Sequence, residues 1–271
     1  MREPLVITSL QNERVKLIRS LEMRKVRRET GLFVAEGASI LVTARDNGWT
    51  PDTLVALRQP ESGTAVGRDL IRWAMQSNVA VLDVSQAVMT KLASKDNPQT
   101  MLGMFRQRWA ELPDPGSLQP GDVWLALEQV RDPGNLGTIV RTVDAVGASG
   151  VILVGPCCDP YSREAVRATM GSIFAVPLAR ASQDEFLAWA AGWPGDIVGT
   201  HLDAREDFRK ARWTEPVLLV MGSEGAGMSD ELRDACRRLV KIPMAGRLDS
   251  LNLAVATALT LYQIRSDKLK L

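Results

Sequence analysis

The feature that most restricts this chain is the alternation, after residue 121, of short apolar runs with stretches of helical periodicity. VWLAL (123–127) is a continuous apolar run, the pattern of a strand buried on both faces of a parallel sheet. The following NLGTIVRTVDAVGAS puts Leu136, Ile139, Val140, Val143 and Val146 on one helical face. Gly147 then suits the helix end, and VILVG (151–155) is the next strand. That succession is a βαβ unit. Further strands are expected at 174–178, 196–200, 217–222 and 238–242, with helices at 162–170, 183–191, 229–237 and 249–265. The expectation is an α/β fold whose mostly parallel sheet carries helices on both faces.

The segment RQRWAELPDPGSLQPGD (106–122) holds three prolines and two glycines among polar residues and reads as a linker. It divides the chain into a first domain (1–105), a linker (106–120) and a second domain (121–271). Within the first, LFVAEG, SILVTARDNG, TLVAL, RDLIRWAMQSN and VAVLDV alternate between strand and helix patterns, a small α/β layer domain. Residues 2–29 carry eight Lys/Arg against four Glu, with Val15, Leu17, Ile18 and Leu21 at helical spacing. The expectation there is a helix that packs one face and keeps its basic face wet. Arg14, Lys16 and Arg24 on that face are candidate phosphate contacts, and a simply solvated surface is the alternative.

Rare residues exclude several chemistries. His201 is the only histidine, so no site uses two, and HExxH zinc chemistry is ruled out. Cys157, Cys158 and Cys236 form neither a CxxC pair nor an even framework, against both a zinc ribbon and a disulfide scaffold, and no metal is expected. With 33 Lys+Arg against 32 Asp+Glu, any nucleic-acid surface must be a local patch. No apolar run reaches the roughly 18 residues of a membrane span, and the opening residues lack a signal-peptide core. A cytoplasmic protein with no membrane partner is expected.

In open parallel sheets, ligands bind beyond the carboxyl ends of the strands. There the sequence offers EQVRDPGNLGTIVRT after VWLAL, SEGAGMSDE after VLLVMG, and PMAGRLDSLNLAVATAL after RLVKI. Each is a polar, glycine-bearing loop leading into a helix. A Rossmann dehydrogenase fails on glycine spacing and position, and no GxxxxGK[ST] is present. Taken in order, the three loops resemble the SpoU (TrmH-type) RNA ribose methyltransferases of the SPOUT superfamily. The residues that carry the resemblance are Asn135, Gly137, Arg141 and Thr142; then Gly222, Ser223, Glu224, Gly225 and Gly227; then Ile242, Pro243, Met244, Gly246, Ser250, Leu251 and Asn252. The likeness is densest over 121–265. TSLQNERVKLIRSL and FVAEGASIL look like the opening of the RNA-binding domain attached to many of these enzymes.

The resemblance implies a deep trefoil knot in the second domain, S-adenosylmethionine bound bent within it, and a homodimer in which each active site borrows from its partner. It implies methyl transfer to a ribose 2′-hydroxyl of structured RNA, ribosomal RNA ahead of transfer RNA. By family position, Thr200, Gly222, Ile242 and Leu251 belong to the cofactor pocket, and Arg141, Asn135, Glu224, Ser250 and Asn252 to the catalytic centre. Arg141 would orient the hydroxyl or stabilise a developing alkoxide, because guanidinium stays protonated, with a substrate phosphate or water taking the proton. Arg167 matches a position suited to a phosphate contact. Each has a plainer alternative: a surface ion pair of Arg141 with Asp144, helix capping by Asn135, Ser250 or Asn252, a structural carboxylate at Glu224, and core packing of Ile242 and Leu251. His201 beside a ligand loop is read as incidental. The competing functions are an RNA-binding assembly protein with a vestigial cofactor knot and methylation of a base atom. Intact catalytic positions and the Ser-Leu-Asn motif argue against these.

Overall fold

The computed structural model describes residues 3–58, 63–93, 99–248 and 250–270. Arg2, counted in the basic stretch, and Asp249, the expected start of the last helix, lie outside them. By packing, the chain forms two compact units. One comprises the chain up to Gln107 together with Asp159–Ala175; the other joins Arg108–Cys158 to Val176–Leu271. Packing therefore groups Asp159–Ala175 with the first unit, although the sequence division keeps 121–271 as one continuous domain.

The first unit is built on strands β1 (Leu5–Ile7), β2 (Leu32–Glu36), β3 (Thr53–Leu57), β4 (Ala80–Val84) and β5 (Met101–Arg106), ordered β1-β4-β3-β5-β2. The first three of that order run parallel, and β5 is antiparallel to both its neighbours. Helices α1 (Glu13–Ser20), α2 (Arg24–Thr30), α3 (Ala38–Asp46), α4 (Ala65–Gln76) and α5 (Gln86–Leu92) cover it. Val15, Ile18 and Leu21 pack with Val34, Leu82, Val88 and Leu102, so the apolar face expected near the N-terminus does enter the core.

The basic stretch is not one helix. It opens as β1 and then breaks into α1 and α2 across Leu21–Met23. The Oδ1 of Asn12 caps α1, accepting from the backbone N–H groups of Arg14 and Val15 at 3.0 and 3.4 Å. The break frees the carbonyls of Leu21 and Glu22, and Arg27 Nη1 donates to both, at 2.7 and 2.9 Å. Arg27 is therefore a buried structural cation, only 5% exposed, and its Nε donates to Asp159 Oδ2 at 2.7 Å.

Asp159–Ala175 is fastened into this unit by more than that pair. The Tyr161 ring lies 4.7 Å from Phe33, and the Phe174 ring 5.1 Å from Trp49 and 4.9 Å from Phe105, centre to centre. Trp49 Nε1 donates to the Phe174 carbonyl at 2.9 Å. Arg163 pairs with Glu22 at 2.8 Å and also with Glu36. These contacts correct the strand expected at 174–178. Ser172–Phe174 is a 3-10 turn whose Phe174 ring is held in the aromatic cluster, and Pro177 has no N–H to give a ladder, so the strand begins at Leu178.

In the second unit the elements are β6 (Val123–Glu128), α6 (Pro133–Ala145), β7 (Gly150–Val154), β8 (Leu178–Ala181), α8 (Gln183–Ala190), β9 (Ile197–Thr200), β10 (Glu206–Asp207), β11 (Val217–Met221), α9 (Asp230–Ala235), β12 (Arg238–Lys241) and α10 (Leu253–Ile264); α7 is the Arg163–Ala168 helix of the first unit. The sheet order is β10-β12-β9-β11-β6-β7-β8, and every pair is parallel. Alternation along each strand divides the side chains. Trp124, Ala126, Ile152, Val154, Leu218 and Val220 pack with Phe186 and Ala190 of α8 and Leu232 of α9. The intervening Leu125, Leu127, Val151, Leu153 and Leu219 are equally buried and face the side carrying α6 and α10. Each such aliphatic side chain contributes about 1.5–3 kcal/mol through burial.

The proline-rich segment is tied to the second unit at two points. The Ala110 N–H donates to the Leu178 carbonyl at 2.8 Å, and Trp189 Nε1 donates to the Pro113 carbonyl at 2.7 Å. Arg108 onward therefore groups with the second unit.

Replacing Arg27 by Met leaves Asp159 without its cation. The side chains are 6% and 14% exposed, so a loss of about 3–5 kcal/mol is expected. A urea melt of the full chain checks this by a lowered midpoint.

Candidate active site

Polar loops leave the carboxyl ends of the central parallel strands and meet. Residues 200–202 at the end of β9, Gly222, Ser223, Glu224, Gly225, Gly227 and Met228 around the turn after β11, and Lys241, Ile242, Met244, residues 250–253 and Ala256 from the end of β12 into α10 line one cleft of about 610 Å³, together with Asn135 of α6. This is the region to which the resemblance assigns the knot. The sequence makes α6 begin where it does: Asp132 is the cap, its Oδ1 accepting from the Asn135 N–H at 2.6 Å, and Pro133 occupies the first helical turn, where a missing N–H costs nothing. Asp132 therefore does the capping that Asn135 was a candidate for, which frees the Asn135 side chain.

That side chain ties the three motifs together. Asn135 Nδ2 donates to Glu224 Oε1 at 3.2 Å, and its Oδ1 accepts from Asn252 Nδ2 at 3.0 Å. The second Glu224 oxygen accepts from the Arg131 N–H at 3.1 Å. Asn252 also caps α10, its Oδ1 accepting from the N–H groups of Ala254 and Val255 at 2.9 and 3.3 Å. Capping and participation in the cleft are thus one arrangement for Asn252 rather than alternatives.

The glycine loop after β11 folds back on itself. Ser223 and Gly227 exchange backbone hydrogen bonds of 2.8 and 3.1 Å, with Gly225 and Gly227 at φ +87° and +75°. A Cβ on Gly222 would lie 2.2 Å from the backbone of Gly227 and Met228, so no other residue fits there without moving the loop. At the loop's far end, the buried Glu128 at the end of β6 accepts the Ser229 N–H at 2.8 Å. The segment from Glu128 to Asn135 therefore anchors the second motif at two points and the third at one.

Two opposed influences act on Glu224. Partial burial, the largest single effect, pushes its carboxyl up. The backbone N–H groups of Arg131, Glu224 itself and Asp132, with the Asn135 amide, together outweigh that and hold it below the usual carboxylate range. Burial also pushes the Cys157 thiol up and the Cys236 thiol to about 12, so neither is a nucleophile near neutral pH.

Eight of the nine residues named for catalysis or cofactor binding line the cleft: Asn135, Glu224, Ser250, Asn252, Thr200, Gly222, Ile242 and Leu251. Arg141 does not; it is exposed on α6, and no described side chain, Asp144 included, pairs with it. Arg14, Lys16, Arg24 and Arg167 are exposed in the first unit. Lys16 pairs with Glu13 at 2.9 Å, and Arg14 Nη1 donates to Thr53 Oγ1 at 3.4 Å. Two ionisable lining residues stand outside that set: His201, read from sequence as incidental, and Lys241, which sequence reasoning passed over. Their signal was positional, since each stands at the carboxyl end of a central parallel strand. No group of described residues is arranged to hold a metal ion, and no described helix is long and apolar enough to cross a membrane.

A family model described as the SpoU rRNA Methylase family matches residues 122–262. The chain belongs to the SpoU rRNA methylase family. A second model, an MRM3-like substrate binding domain, matches residues 12–103. An AdoMet-bound rRNA methyltransferase from Sinorhizobium meliloti is 43% identical, covering 98% of each chain with a TM-score of 0.88. The SpoU methyltransferase AviRb from Streptomyces viridochromogenes, solved in complex with AdoMet, is 30% identical over 95% of this chain and 98% of its own, with a TM-score of 0.85. A 23S rRNA (uridine(2479)-2'-O)-methyltransferase of Streptomyces viridochromogenes is 31% identical over 246 residues, 89% of this chain and 84% of that protein. The hydrogen-bond chain through Asn135 thus joins the three motifs by which this SpoU member resembles its family.

A carboxyl whose folded-state pKa is depressed stabilises the structure above its unfolded value, and that contribution is lost as pH falls through the folded value. In the SpoU cleft, Glu224 therefore keeps its loop contacts to a pH below the usual carboxylate range. Asn135→Ala removes one of its donors, so the Glu224 titration should move up. Carbon-detected NMR of the glutamate carboxyls reads the shift directly.

Proposed function

We propose that this chain transfers a methyl group from S-adenosylmethionine to a ribose 2′-hydroxyl of structured RNA, with ribosomal RNA as the substrate. The observation that carries the reading is the single hydrogen-bond chain Glu224–Asn135–Asn252, which holds three family motifs around one cleft. The rRNA methyltransferases similar to this chain, two of them solved with AdoMet, support it.

The cleft suits such a cofactor. Its volume lies within the range of about 300–1,000 Å³ usual for small-molecule sites, and the Gly222 turn is so tight that loop backbone itself forms the wall. Thr200, Gly222, Ile242 and Leu251 would hold the cofactor, which supplies an electrophilic methyl group on a sulfonium. The chain's own residues do the rest. Glu224, with both oxygens accepting hydrogen bonds and its carboxyl held low, is a poor proton acceptor and serves as a positioning residue. Asn252 and Ser250 present polar groups at the start of α10 for orienting a ribose. Arg141 offers a permanent positive charge for a developing alkoxide, with a substrate phosphate or water taking the proton.

Arg141 lies outside the cleft of its own chain, so its role calls for a second copy. On α10, Val255, Leu259 and Tyr262 are 48%, 41% and 49% exposed at i, i+4 and i+7, an apolar stripe turned away from the sheet. We assign that stripe to a homodimer contact that brings Arg141 of one copy to the cleft of the other. Arg14, Lys16, Arg24 and Arg167 in the first unit would contact RNA phosphates.

Calorimetric titration with S-adenosylmethionine should give saturable binding that survives Arg141→Ala and is lost in Gly222→Ala. Transfer of labelled methyl groups to ribosomal RNA should fall about a hundredfold or more in Arg141→Ala. A folded protein that binds no cofactor would leave a non-catalytic RNA-binding role. Separately, Tyr262→Glu should convert a dimer to a monomer in analytical ultracentrifugation, with loss of methyl transfer.

A further inference from the structure

The polar groups of the cleft are mostly spent within the protein. Glu224, Asn135 and Asn252 satisfy one another, and Thr200 Oγ1 sits 3.4 Å from the Met221 sulfur. Among the ionisable lining side chains, two are different. Lys241 makes no ion pair with any described residue, and the Nε2 of His201 has no described partner. Unspent donors in a cleft are where a ligand of complementary charge is bound.

The fold sets these two side by side. β9 and β12 pair in parallel with Thr200 opposite Val240, and the His201 N–H continues the ladder to the Val240 carbonyl at 3.0 Å. His201 and Lys241 are thus the next register pair, and paired residues of adjacent strands project to the same side. The His201 Nδ1 accepts the Asp203 N–H at 3.2 Å, which leaves the neutral ring's proton on Nε2. The carboxylates nearby do not compete for Lys241. Asp207, its register partner on β10, is bound by Arg209 at 2.6 Å and held at a pKa of about 2 by that guanidinium, and the Asp203 side chain is 93% exposed beside His201. Each member of the pair also adjoins a residue assigned above to the cofactor pocket, His201 following Thr200 and Lys241 preceding Ile242.

We propose that His201 and Lys241 form the anion-receiving part of the cleft and bind the carboxylate of the cofactor's methionine portion, one donating from Nε2 and the other from Nζ. The inference rests on the S-adenosylmethionine reading above. An RNA phosphate has the same chemistry, and the position of both residues beside Thr200 and Ile242 selects the cofactor.

The test is calorimetric titration of the full-length protein, as wild type, His201→Ala and Lys241→Met, with S-adenosylmethionine and with its decarboxylated form, which keeps the sulfonium and the ammonium. The wild type should bind the decarboxylated compound about a hundredfold or more weakly, the worth of two hydrogen bonds to a charged group. Each variant should lose about tenfold, the worth of one such bond, for S-adenosylmethionine and nothing for the decarboxylated compound, so the discrimination shrinks by that factor. Equal losses for both compounds overturn the proposal in favour of general damage to the loops. Unchanged cofactor affinity with a raised KM for RNA in methyl transfer also overturns it, assigning the pair to a phosphate instead. A wild type that binds neither compound overturns the cofactor reading itself, and this inference with it.

Discussion

The amide of Asn135 is the interaction on which the site depends. An amide has one donating and one accepting end, and here the first faces the Glu224 carboxylate and the second faces the Asn252 side-chain N–H. Neither orientation nor partner is exchangeable without leaving a donor against a donor. The loops it joins have little apolar burial to hold them, with Met244 and Leu251 each 37% exposed and Leu248 75%. Hydrogen bonds and glycine turns must therefore do what side-chain packing does elsewhere in the unit.

A rigid edge makes that arrangement sustainable. Seven parallel strands with both faces covered end at the same side, and register decides which side chains emerge there. Residues one position beyond a strand acquire a fixed neighbour from the adjacent strand, as His201 does from β12. Glu128, at the end of the central β6, extends the same logic by holding the exit of the glycine loop through the Ser229 N–H. Positioning groups and ligand-facing groups are thereby separated, the former paired within the protein and the latter left with open valence toward the cleft.

Legibility from sequence differed by residue, for physical reasons. The strands and helices from 121 to 171 and from 183 onward follow from period, because buried strands read as unbroken apolar runs, except β10, whose Glu206 and Asp207 at the sheet edge carry no apolar signal and lie outside the expected strands. The segment 174–178 misled because FAVPL has a strand's composition, whereas Phe174 is held by Trp49 and Phe105 from far along the chain. Arg27 misled for a similar reason. Its charge suggested solvent, yet the break between α1 and α2 creates carbonyls that only a cation with several donors fills, and Asp159 arrives from 132 residues away. His201 was undervalued because a lone histidine carries no pattern; its neighbour Lys241 is a neighbour only through strand pairing.

Motif order and spacing determined the family, the location of the cleft beyond the carboxyl ends of the strands, and most of its polar lining residues, because a loop's glycines and the residue after a strand are local properties of the chain. Tertiary structure decided what those residues do for one another. It showed that Asp132 rather than Asn135 caps α6, that Glu224 is spent on holding loops, that Arg141 stands outside the cleft of its own chain, and that Asp159–Ala175 packs with the first unit. Those facts depend on distances between residues many positions apart, and a linear order of side chains carries no distances.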